Sequence, residues 1–552
     1  MFKSALASSC HCRFASAIKP LNEITAMTSP QPLYFVAQIR AIERSAAQQL
    51  APGALMQRAG RAGAELALAL LSDAKNGFAP SAMAACRVLL LVGPGNNGGD
   101  ALETGALLAQ AGVGVSLWMA PAGATDAPSA ERSGALMRAR ALHVVTANDI
   151  AEHSWDLVID GLFGIGLMRP LSGQLRQIVE RVNDLRCLVL ALDVPSGLDA
   201  DTGAIVGQHG SAGAGVAVHA THTLTFIGDK PGLHTCDGRD YAGIVQVAHL
   251  DIDAHHVVPA GAYLNHMASF AHCLHARRHN THKGSFGNVA ILGGAHGMTG
   301  APILSARAAL FSGAGRVFIA FPDTAPAYDS AQPELMCRQG RDFNVASATL
   351  VAGPGLGSGI DAVQLLTRAI DSDSALLIDA DGLNLIAASP VLQAALVQRR
   401  DKLTILTPHP LEAARLLGIA AIDVQADRLA AARMLALQSG AIVVLKGSGT
   451  IIAAADGRLL INTTGNAALA SAGTGDVLSG LCGALLAQGW PAWEAALAGV
   501  WLHGTAADDL VSAGVGPIGL TAGELIPALR LAINRAIHQA NHRSIGSPII
   551  GR

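Results

Sequence analysis

The chain has 552 residues, of which 51% are hydrophobic and 14% are charged, and it carries 61 glycines. This length exceeds what one hydrophobic core organises, so two large domains or three to four ordinary ones are expected, and the composition is globular rather than disordered. A formal net charge of −3 and an aromatic content of 4% argue against nucleic acid as a partner, because its binding proteins need basic surfaces and stacking platforms.

The eight cysteines are scattered and form no CxxC pair. This pattern favours the reduced thiols of a cytoplasmic protein over a disulfide framework or a zinc site. No apolar run of about 18 residues is present, so no membrane-spanning segment is predicted. Residues 1–26 are basic and nearly free of acidic residues, as in an organellar transit peptide. Because Met27 directly precedes the first patterned segment, we favour an over-extended start and treat residues 1–30 as an N-terminal extension.

The first half of the chain alternates predicted helices with predicted strands. Residues 36–72 have the apolar spacing of one helix. Arg87–Val92 is a continuous apolar run that ends in glycines, typical of a strand buried on both faces, and a helix over Gly99–Ala111 follows. Further strands are predicted at Gly114–Met119, Leu157–Asp160 and Cys187–Leu192. This alternation predicts a parallel α/β sheet, in which ligands bind at the carboxyl ends of the strands.

The pattern lapses between about 254 and 280, where seven histidines lie between His255 and His282. Their spacing matches no metal motif, so we interpret this stretch as a solvated linker. A second α/β series follows, with strands at Asn288–Leu292, Arg316–Ala320, Thr349–Ala352, Ala375–Asp379, Thr404–Leu406 and Ile442–Leu445. The sequence therefore predicts two three-layer α/β/α domains, over residues 31–258 and 275–545, with a linker over 259–274.

Polar residues gather where the strands of the first domain end. The loop Gly93–Asp100 joins a strand to a helix, and its glycines would let backbone amides approach a phosphate. A tight structural turn is the alternative, but two asparagines and an aspartate inside it favour ligand contact. Asp160–Gly166, Asp193–Asp199 and Gly228–Gly232 end neighbouring strands. Each could be a capped turn, but their convergence on one sheet edge favours a site.

These strings resemble the YjeF N-terminal family, the NAD(P)HX epimerases, over roughly residues 33–255. The resemblance implies a Rossmann-like domain that interconverts the R and S forms at C6 of the hydrated nicotinamide ring, with Asp160 as acid and base. It implies dinucleotide contacts from Asn96, Asn97, Gly98, Gly99, Asp100, Gly164, Ile165, Gly166, Leu167, Met168, Arg169, Pro170 and Asp193. It also implies a potassium ion held by Asn97, Asp160 and Ser196, whose oxygens suit a hard cation. The sequence departs from the family at Ala101, where glycine is usual.

The second domain contains a Gly-Thr-Gly-Asp turn that ends at Asp476 and opens a predicted helix over residues 476–487. Such a turn offers free amides to a phosphoryl group, and its aspartate can accept a proton from an attacking hydroxyl. Asp476 is also a candidate helix N-cap, a role compatible with catalysis. Lys446–Thr450, directly after a strand, adds a predicted nucleotide-binding turn.

The second domain resembles ribokinase-like enzymes, and within them the YjeF C-terminal family, the NAD(P)HX dehydratases, over about 275–540. The strings that carry the resemblance are His282–Gly287, Thr299–Pro302, Gly353–Gly357, Asp379–Asp381 and Thr407–Pro410. It implies hydrate contacts from Ala301, Gly355, His409 and Asp476. It implies that Mg²⁺ with ADP or ATP contacts Lys446, Gly447, Ser448, Gly449, Thr450 and Gly475. Leu411 replaces a usual glycine and Gly382 a usual alanine.

The two resemblances together imply an enzyme that repairs hydrated NADH and NADPH, with ADP as the expected co-substrate and a homo-oligomeric state. One alternative is a small-molecule kinase with an N-terminal regulatory domain, which would release a stable phosphorylated product. Another is an N-terminal half that only binds or scaffolds.

Overall fold

Two β-sheets organise the chain. The computed structural model describes residues 30–74, 83–121, 130–146, 150, 153–208 and 215–545. Residues 1–29 of the expected N-terminal extension lie outside this description. Strand β1 (Pro32–Leu33) opens the described chain.

The smaller sheet is parallel throughout. Its strands are β2 (Arg87–Val92), β3 (Gly114–Met119), β4 (His143–Val144), β5 (Leu157–Gly161), β6 (Leu188–Leu192), β7 (His222–Phe226) and β8 (Ile244–Ala248). They follow the order β4-β3-β2-β5-β6-β7-β8. The side chains of Leu89 and Leu91 enter one core and those of Val88 and Leu90 the other. Since successive side chains point to opposite faces, this explains why the central strand is apolar from Val88 to Val92, after the exposed Arg87 at its start.

Helices cover both faces of the smaller sheet. They are α1 (Val36–Ala47), α2 (Ala54–Ala74), α3 (Asn96–Gln110), α4 (Ala130–Ala139), α5 (Gly173–Asn183) and the one-turn helices α6 (Gly238–Tyr241) and α7 (Ala254–Val257). Helices α1 to α4 contribute to one core and α5 to the other. The prediction of one helix over 36–72 is wrong, because Pro52 and Gly53 (φ +80°) separate α1 from α2.

The larger sheet combines a parallel half with an antiparallel edge. Its further strands are β9 (Ala262–Asn265), β10 (Asn288–Leu292), β11 (Arg316–Phe321), β12 (Met336–Gln339), β13 (Thr349–Ala352), β14 (Leu376–Ile378), β15 (Thr404–Leu406), β16 (Ile442–Leu445), β17 (Thr450–Ala453) and β18 (Leu459–Asn462). The order is β1-β9-β18-β17-β16-β15-β14-β13-β10-β11-β12. Strands β10 to β16 run parallel, whereas β17 is antiparallel to both of its neighbours.

Two helical layers enclose the larger sheet. The helices are α8 (Gly300–Phe311), α9 (Ile360–Asp371), α10 (Ala380–Ala388), α11 (Pro390–Gln398), α12 (Pro410–Leu417), α13 (Ala421–Ala426), α14 (Arg428–Ser439), α15 (Thr474–Ala487), α16 (Ala492–Ser512) and α17 (Ala522–Ile545). Helices α8 and α15 to α17 form one core with the sheet, and α9 to α14 form the other. The predicted fold class, two three-layer α/β/α units, is confirmed.

The prediction that residues 259–274 form a solvated linker is wrong. Ala262–Asn265 forms strand β9, which pairs with β18 and with β1. Met267, Phe270 and Leu274 are buried in the core of the larger sheet. The predicted boundary at residue 31 also shifts, since Pro32–Leu33 belongs to the larger sheet. The polar histidines concealed these apolar residues in the sequence pattern.

Among the described residues, no single helix is long and apolar enough to cross a membrane; only the bent pair α10 and α11, taken together, meets the length and composition test.

Candidate active sites

The glycine loop of the N-terminal domain enters its helix earlier than the sequence predicts. Helix α3 begins at Asn96 rather than Gly99, so the Asn-Asn-Gly-Gly-Asp string occupies its first turns. A Cβ atom on Gly98 would lie 2.1 Å from the carbonyl oxygen of Gly93. Only glycine permits this close approach, which brings the helix start and its free amide groups to the edge of the sheet.

Asp160 is fully buried where β5 ends. Its Oδ1 accepts hydrogen bonds from Ser196 Oγ at 2.7 Å and Leu162 N at 3.1 Å, and its Oδ2 accepts one from Ser196 N at 2.8 Å. Burial raises the pKa of Asp160 to about 6, and the hydrogen bonds from Ser196 and Leu162 oppose that rise. The structure thus joins Asp160 and Ser196, as predicted.

Asn97 supplies a buried acceptor, and its main chain lies next to the end of the same strand. Its Nδ2 donates to the Leu192 carbonyl oxygen at 3.1 Å, whereas its buried Oδ1 has no hydrogen-bond partner. The Asn97 carbonyl oxygen lies 3.0 Å from the position that a Cβ on Gly161 would occupy, so the residue adjoins the end of β5. An unpaired buried oxygen is costly unless something pairs with it. Asn97, Asp160 and Ser196 therefore offer oxygens that fit a hard monovalent cation.

Asp193 lies at the end of β6 in a left-handed conformation, with φ of +66°. Its Oδ2 accepts a hydrogen bond from Ile165 N at 3.0 Å, and its Oδ1 from Lys230 Nζ at 2.7 Å. The structure thus brings Asp193 to the start of the predicted 164–170 loop. Farther along that loop, residues 168–170 are exposed.

Lys230 has no role in the sequence-based prediction, although its string was noted. Its side chain is fully buried, and Nζ donates to Asp193, to Thr225 Oγ1 at 2.6 Å and to the Phe226 carbonyl oxygen at 2.9 Å. These bonds use all three protons of the ammonium group. Lys230 therefore fixes the orientation of the Asp193 carboxylate. A lysine inside a buried strand-end turn was the available signal.

Two further carboxyl groups lie near Asp193. Burial raises the pKa of Asp100 well above its usual range, and Asp193 and Glu43 raise it further. Burial also raises the pKa of Glu43, and Asp193 adds to that rise. Glu43 belongs to α1 and was missed, because its exposed-looking position in an amphipathic helix gives no functional signal.

Asp476 of the C-terminal domain is the third residue of α15, in its first turn. The interpretation of Asp476 as the N-cap is wrong, because Gly473 takes that position with a φ of +88°. Burial raises the pKa of Asp476 to about 7, with a further rise from Asp379, while Lys446 opposes the shift. A carboxyl group with this pKa exchanges a proton readily at neutral pH.

Lys446 joins the predicted nucleotide turn to the Gly-Thr-Gly-Asp turn. Its Nζ donates to Asp379 Oδ1 at 2.7 Å and lies 3.5 Å from where a Cβ on Gly475 would be. Burial lowers the pKa of Lys446, but the carboxylates of Asp379 and Glu412 reverse this, and the net pKa is raised. The resulting cation stands beside the free amides of the α15 start, where an anionic phosphate would be stabilised.

Asp379 links the Lys446 side chain to α15. The sequence predicted it only as part of a string that carries the family resemblance. It is almost fully buried, accepts a hydrogen bond from Ser479 Oγ, and caps α10 by accepting one from Ala380 N at 2.9 Å. It thereby ties α15 to the end of β14. This carboxylate is the main charged neighbour that raises the pKa of Asp476.

His409 is the N-cap of α12. Its Nδ1 accepts hydrogen bonds from Leu411 N at 3.1 Å and Glu412 N at 3.3 Å, while Glu412 Oε2 accepts one from His409 N at 2.8 Å. Burial, and then Lys446, lower the pKa of His409. The cap requires an unprotonated Nδ1, so the ring is neutral with its proton on Nε2. The structural and the binding interpretations of His409 are compatible.

Gly355 and Ala301 lie side by side, as the prediction requires. A Cβ on Gly355 (φ +55°) would be 3.4 Å from Ala301 Cβ. The same turn is fixed by Asp381, whose Oδ2 accepts a hydrogen bond from Gly357 N at 2.9 Å. Asp381 also raises the pKa of Asp476, so the turn borders the catalytic candidate.

His503 of α16 is a buried residue that the sequence analysis missed. Its Nε2 lies 2.9 Å from the Thr474 carbonyl oxygen, and burial lowers its pKa to about 4. The neutral ring donates this hydrogen bond and holds the first residue of α15. Among the described residues, no cluster of three or more His, Cys, Asp or Glu side chains has a metal-binding arrangement.

Comparisons with known proteins find relatives for both halves of the chain. Family models described as YjeF-related protein N-terminus and NAD(P)H-hydrate dehydratase match residues 52–232 and 289–528. A bifunctional NAD(P)H-hydrate repair enzyme of Escherichia coli is 35% identical over 93% of this chain and 96% of its own length. An ADP-dependent (S)-NAD(P)H-hydrate dehydratase of Neisseria meningitidis is 46% identical over 48% of this chain and 91% of its own length. A Bacillus subtilis ADP/ATP-dependent NAD(P)H-hydrate dehydratase structure, co-crystallised with ATP and Mg²⁺, matches at 28% identity over 50% of this chain and 98% of that one, with a TM-score of 0.43.

The two folds, with Asp160 at the end of β5 and Asp476 in the first turn of α15, define an α/β enzyme with two separate catalytic domains. The chain belongs to the family of bifunctional NAD(P)H-hydrate repair enzymes. The family membership predicted from the sequence is confirmed.

Proposed function

We propose that the N-terminal site interconverts the R and S hydrates of NADH and NADPH, and that the C-terminal site dehydrates the S form with ADP. One observation carries this division of labour. Each domain has its own carboxyl group with a raised pKa, the buried Asp160 with a pKa of about 6 and the partly buried Asp476 with a pKa of about 7. A positioned acid or base works best when its pKa lies near the working pH.

In the epimerase, Asp160 would act as acid and base toward the hydrate. The C6 carbon carries both a hydroxyl group and the ring nitrogen, and it inverts only if one of those bonds opens and closes again. Either route moves a proton, which Asp160 would accept and return. The turn fixed by Asp193 and Lys230 would orient the nicotinamide end, and the amides at the start of α3 would hold the phosphates.

A potassium ion would be held by Asn97, Asp160 and Ser196, and its charge would stabilise the buried carboxylate. The supporting observation is the buried, unpaired Oδ1 of Asn97, a residue whose main chain adjoins Gly161 directly after Asp160. Replacing potassium with tetramethylammonium should slow epimerisation and leave dehydration unchanged. Asn97→Leu, which removes the unpaired oxygen, should make epimerisation insensitive to potassium. An epimerisation rate that is equal in both salts would contradict the assignment.

In the dehydratase, ADP would enter as a magnesium complex. The oxygen of the C6 hydroxyl group would attack the terminal phosphorus of ADP while Asp476 takes the hydroxyl proton. AMP leaves, and the hydroxyl becomes a phosphate ester. The lone pair of the ring nitrogen then breaks the C6–O bond and expels phosphate. Loss of a proton from the neighbouring ring carbon restores the dihydropyridine. Lys446 and the amides of the α15 start would stabilise the charge on the transferring phosphoryl group.

A direct assay separates this function from the alternatives. The full chain, supplied with hydrated NADH and ADP, should regenerate NADH absorbance, with ATP as the second arm. A small-molecule kinase would instead accumulate a stable phosphorylated product and no NADH. Epimerisation of the R hydrate by full-length Asp476→Asn would rule out an N-terminal domain that only binds. A fragment ending near residue 265 is unsuited to this test, because β9 belongs to the larger sheet.

A further inference from the structure

The N-terminal domain contacts the predicted nucleotide turn, Lys446–Thr450, directly. Thr235 is fully buried, and its Oγ1 lies 3.1 Å from the Ser448 carbonyl oxygen and 3.0 Å from that of Gly449. Cys236 N donates to the Ser448 carbonyl oxygen at 3.1 Å, and Ser448 Oγ donates to the Cys236 carbonyl oxygen at 3.0 Å. The turn is therefore bonded to another domain through both main-chain and side-chain groups.

Steric fit confirms how closely the turn is docked. Gly449 has a φ of +61°, and a Cβ there would lie 2.1 Å from the His234 carbonyl oxygen and 2.6 Å from Thr235 Cα. No larger residue fits at this position without displacing one of the domains. The conformation of the turn and the docking of the N-terminal domain are thus a single packing arrangement.

Arg428, the first residue of α14, also contacts the turn. Its buried guanidinium group donates to the carbonyl oxygens of Ser448 and Lys446, the latter at 3.2 Å, and to Thr235 Oγ1 at 3.2 Å. Burial lowers its pKa to about 10, so the group remains charged at neutral pH. Thr235 therefore accepts a hydrogen bond from the C-terminal domain and returns one to the turn.

We propose that Thr235 is a positioning residue for the nucleotide, so that the N-terminal domain completes the nucleotide site of the dehydratase. This inference rests on the proposed function, because it takes Lys446–Thr450 as the ADP-binding turn. A turn already fixed in its bound conformation loses less conformational entropy when a ligand binds. Without the Thr235 hydroxyl group, the Gly449 carbonyl oxygen loses a buried donor, Arg428 loses an acceptor, and the turn loosens.

The test compares three substitutions in the full-length enzyme. Thr235→Val keeps the shape and removes the hydroxyl group, whereas Thr235→Ser keeps the hydroxyl. The matched control is Thr223→Val, since Thr223 is also buried but donates to Ala242 within its own domain. We expect Thr235→Val to raise the KM for ADP and the Kd measured by titration calorimetry with ADP by about tenfold. Its kcat and epimerisation rate should stay near wild type, and both Thr235→Ser and Thr223→Val should match the wild-type enzyme in ADP binding.

A fourth variant distinguishes failure of this inference from failure of the proposed function. Lys446→Met should abolish measurable ADP binding; if it binds ADP normally, the turn is not the nucleotide site and the proposed function loses its basis. If Lys446→Met loses ADP but Thr235→Val binds it as the wild type does, the inference about Thr235 is overturned. A measurement on the wild-type enzyme tests the same inference even if Thr235→Val fails to fold. ADP should slow amide hydrogen exchange at Cys236 together with residues 447–449, and protection of the turn alone would refute the link.

Discussion

The pKa values of the two candidate catalytic carboxyl groups are set by different interactions, hydrogen bonds in one case and neighbouring charges in the other. Asp160 accepts hydrogen bonds from Ser196 and Leu162, which oppose the effect of burial and keep its pKa at about 6. Asp476 stands among charges, where Asp379 raises and Lys446 lowers a pKa of about 7. A carboxyl group fixed by hydrogen bonds is held in one orientation, as the proposed cation site requires. The pKa of a carboxyl group that stands among other charges changes when an anionic nucleotide binds nearby.

The largest effect should come from removing the proton acceptor of the dehydratase. Asp476→Asn keeps the size of the side chain, and the N-cap at Gly473 is untouched. We expect dehydration of the S hydrate to fall at least about 100-fold, with ADP binding and epimerisation retained. The control is Asp456→Asn, since Asp456 is exposed and pairs with Arg458 away from the site. Near-normal dehydration by Asp476→Asn would show that another group takes the proton.

The reciprocal substitution tests the independence of the two sites. Asp160→Asn should reduce epimerisation about 100-fold, while dehydration of the pure S hydrate continues, because the two carboxyl groups lie in separate cores. The amide must turn one N–H group toward Ser196 N or Oγ, so circular dichroism should confirm the fold. A parallel loss of both activities in a folded variant would refute the two-site arrangement.

The sequence predicted the structure best where the outcome depends on a single strand or turn. Apolar runs such as Asn288–Leu292 and Ile442–Leu445 are observed at the predicted boundaries, because strands buried on both faces must be apolar throughout. A strand-end string likewise indicated Asp160, and the Gly-Thr-Gly-Asp turn at the start of a predicted helix indicated Asp476. The polar stretch that contains β9 was misread, because a strand of four residues is too short to show a clear pattern.

Contacts between distant segments were not predictable. Lys230 and Asp193 meet only because β6 and β7 are neighbours, and Thr235 meets Ser448 across 213 residues of sequence. Neither pair leaves a local signature, since each residue alone fits an ordinary turn. The break between α1 and α2 did have a local signal, because Pro52 and Gly53 lie in it. It was missed because the helical periodicity continues on both sides.

The Lys230–Asp193 pair makes a prediction about stability. Lys230→Met leaves the nearly buried Asp193 carboxylate unpaired, which typically costs about 3–5 kcal/mol. We expect the free energy of unfolding of the N-terminal domain to fall by about 3 kcal/mol and the KM for the hydrate in epimerisation to rise. The control is Arg176→Met, because Arg176 of the same domain pairs with an exposed Glu180 and such pairs contribute at most about 1 kcal/mol. If denaturant titrations show the same decrease in the free energy of unfolding for both variants, Lys230 stabilises the domain no more than an exposed ion pair does.

The smallest effect concerns pH. If Asp476 is the base of the dehydratase, only its ionised form is active, so the rate falls as the pH drops through its pKa of about 7. The kcat/KM for the S hydrate should therefore have an acid limb with a midpoint near pH 7. Burial and Asp379 cause the raised pKa, so Asp379→Asn should shift the midpoint to lower pH, although Lys446 then loses its partner and the maximal rate also falls. Epimerisation measured in the same samples is the internal control for loss of fold. An acid limb near the ordinary pKa of a free aspartate, about 4, would mean that the buried carboxyl group is not the one that titrates during catalysis.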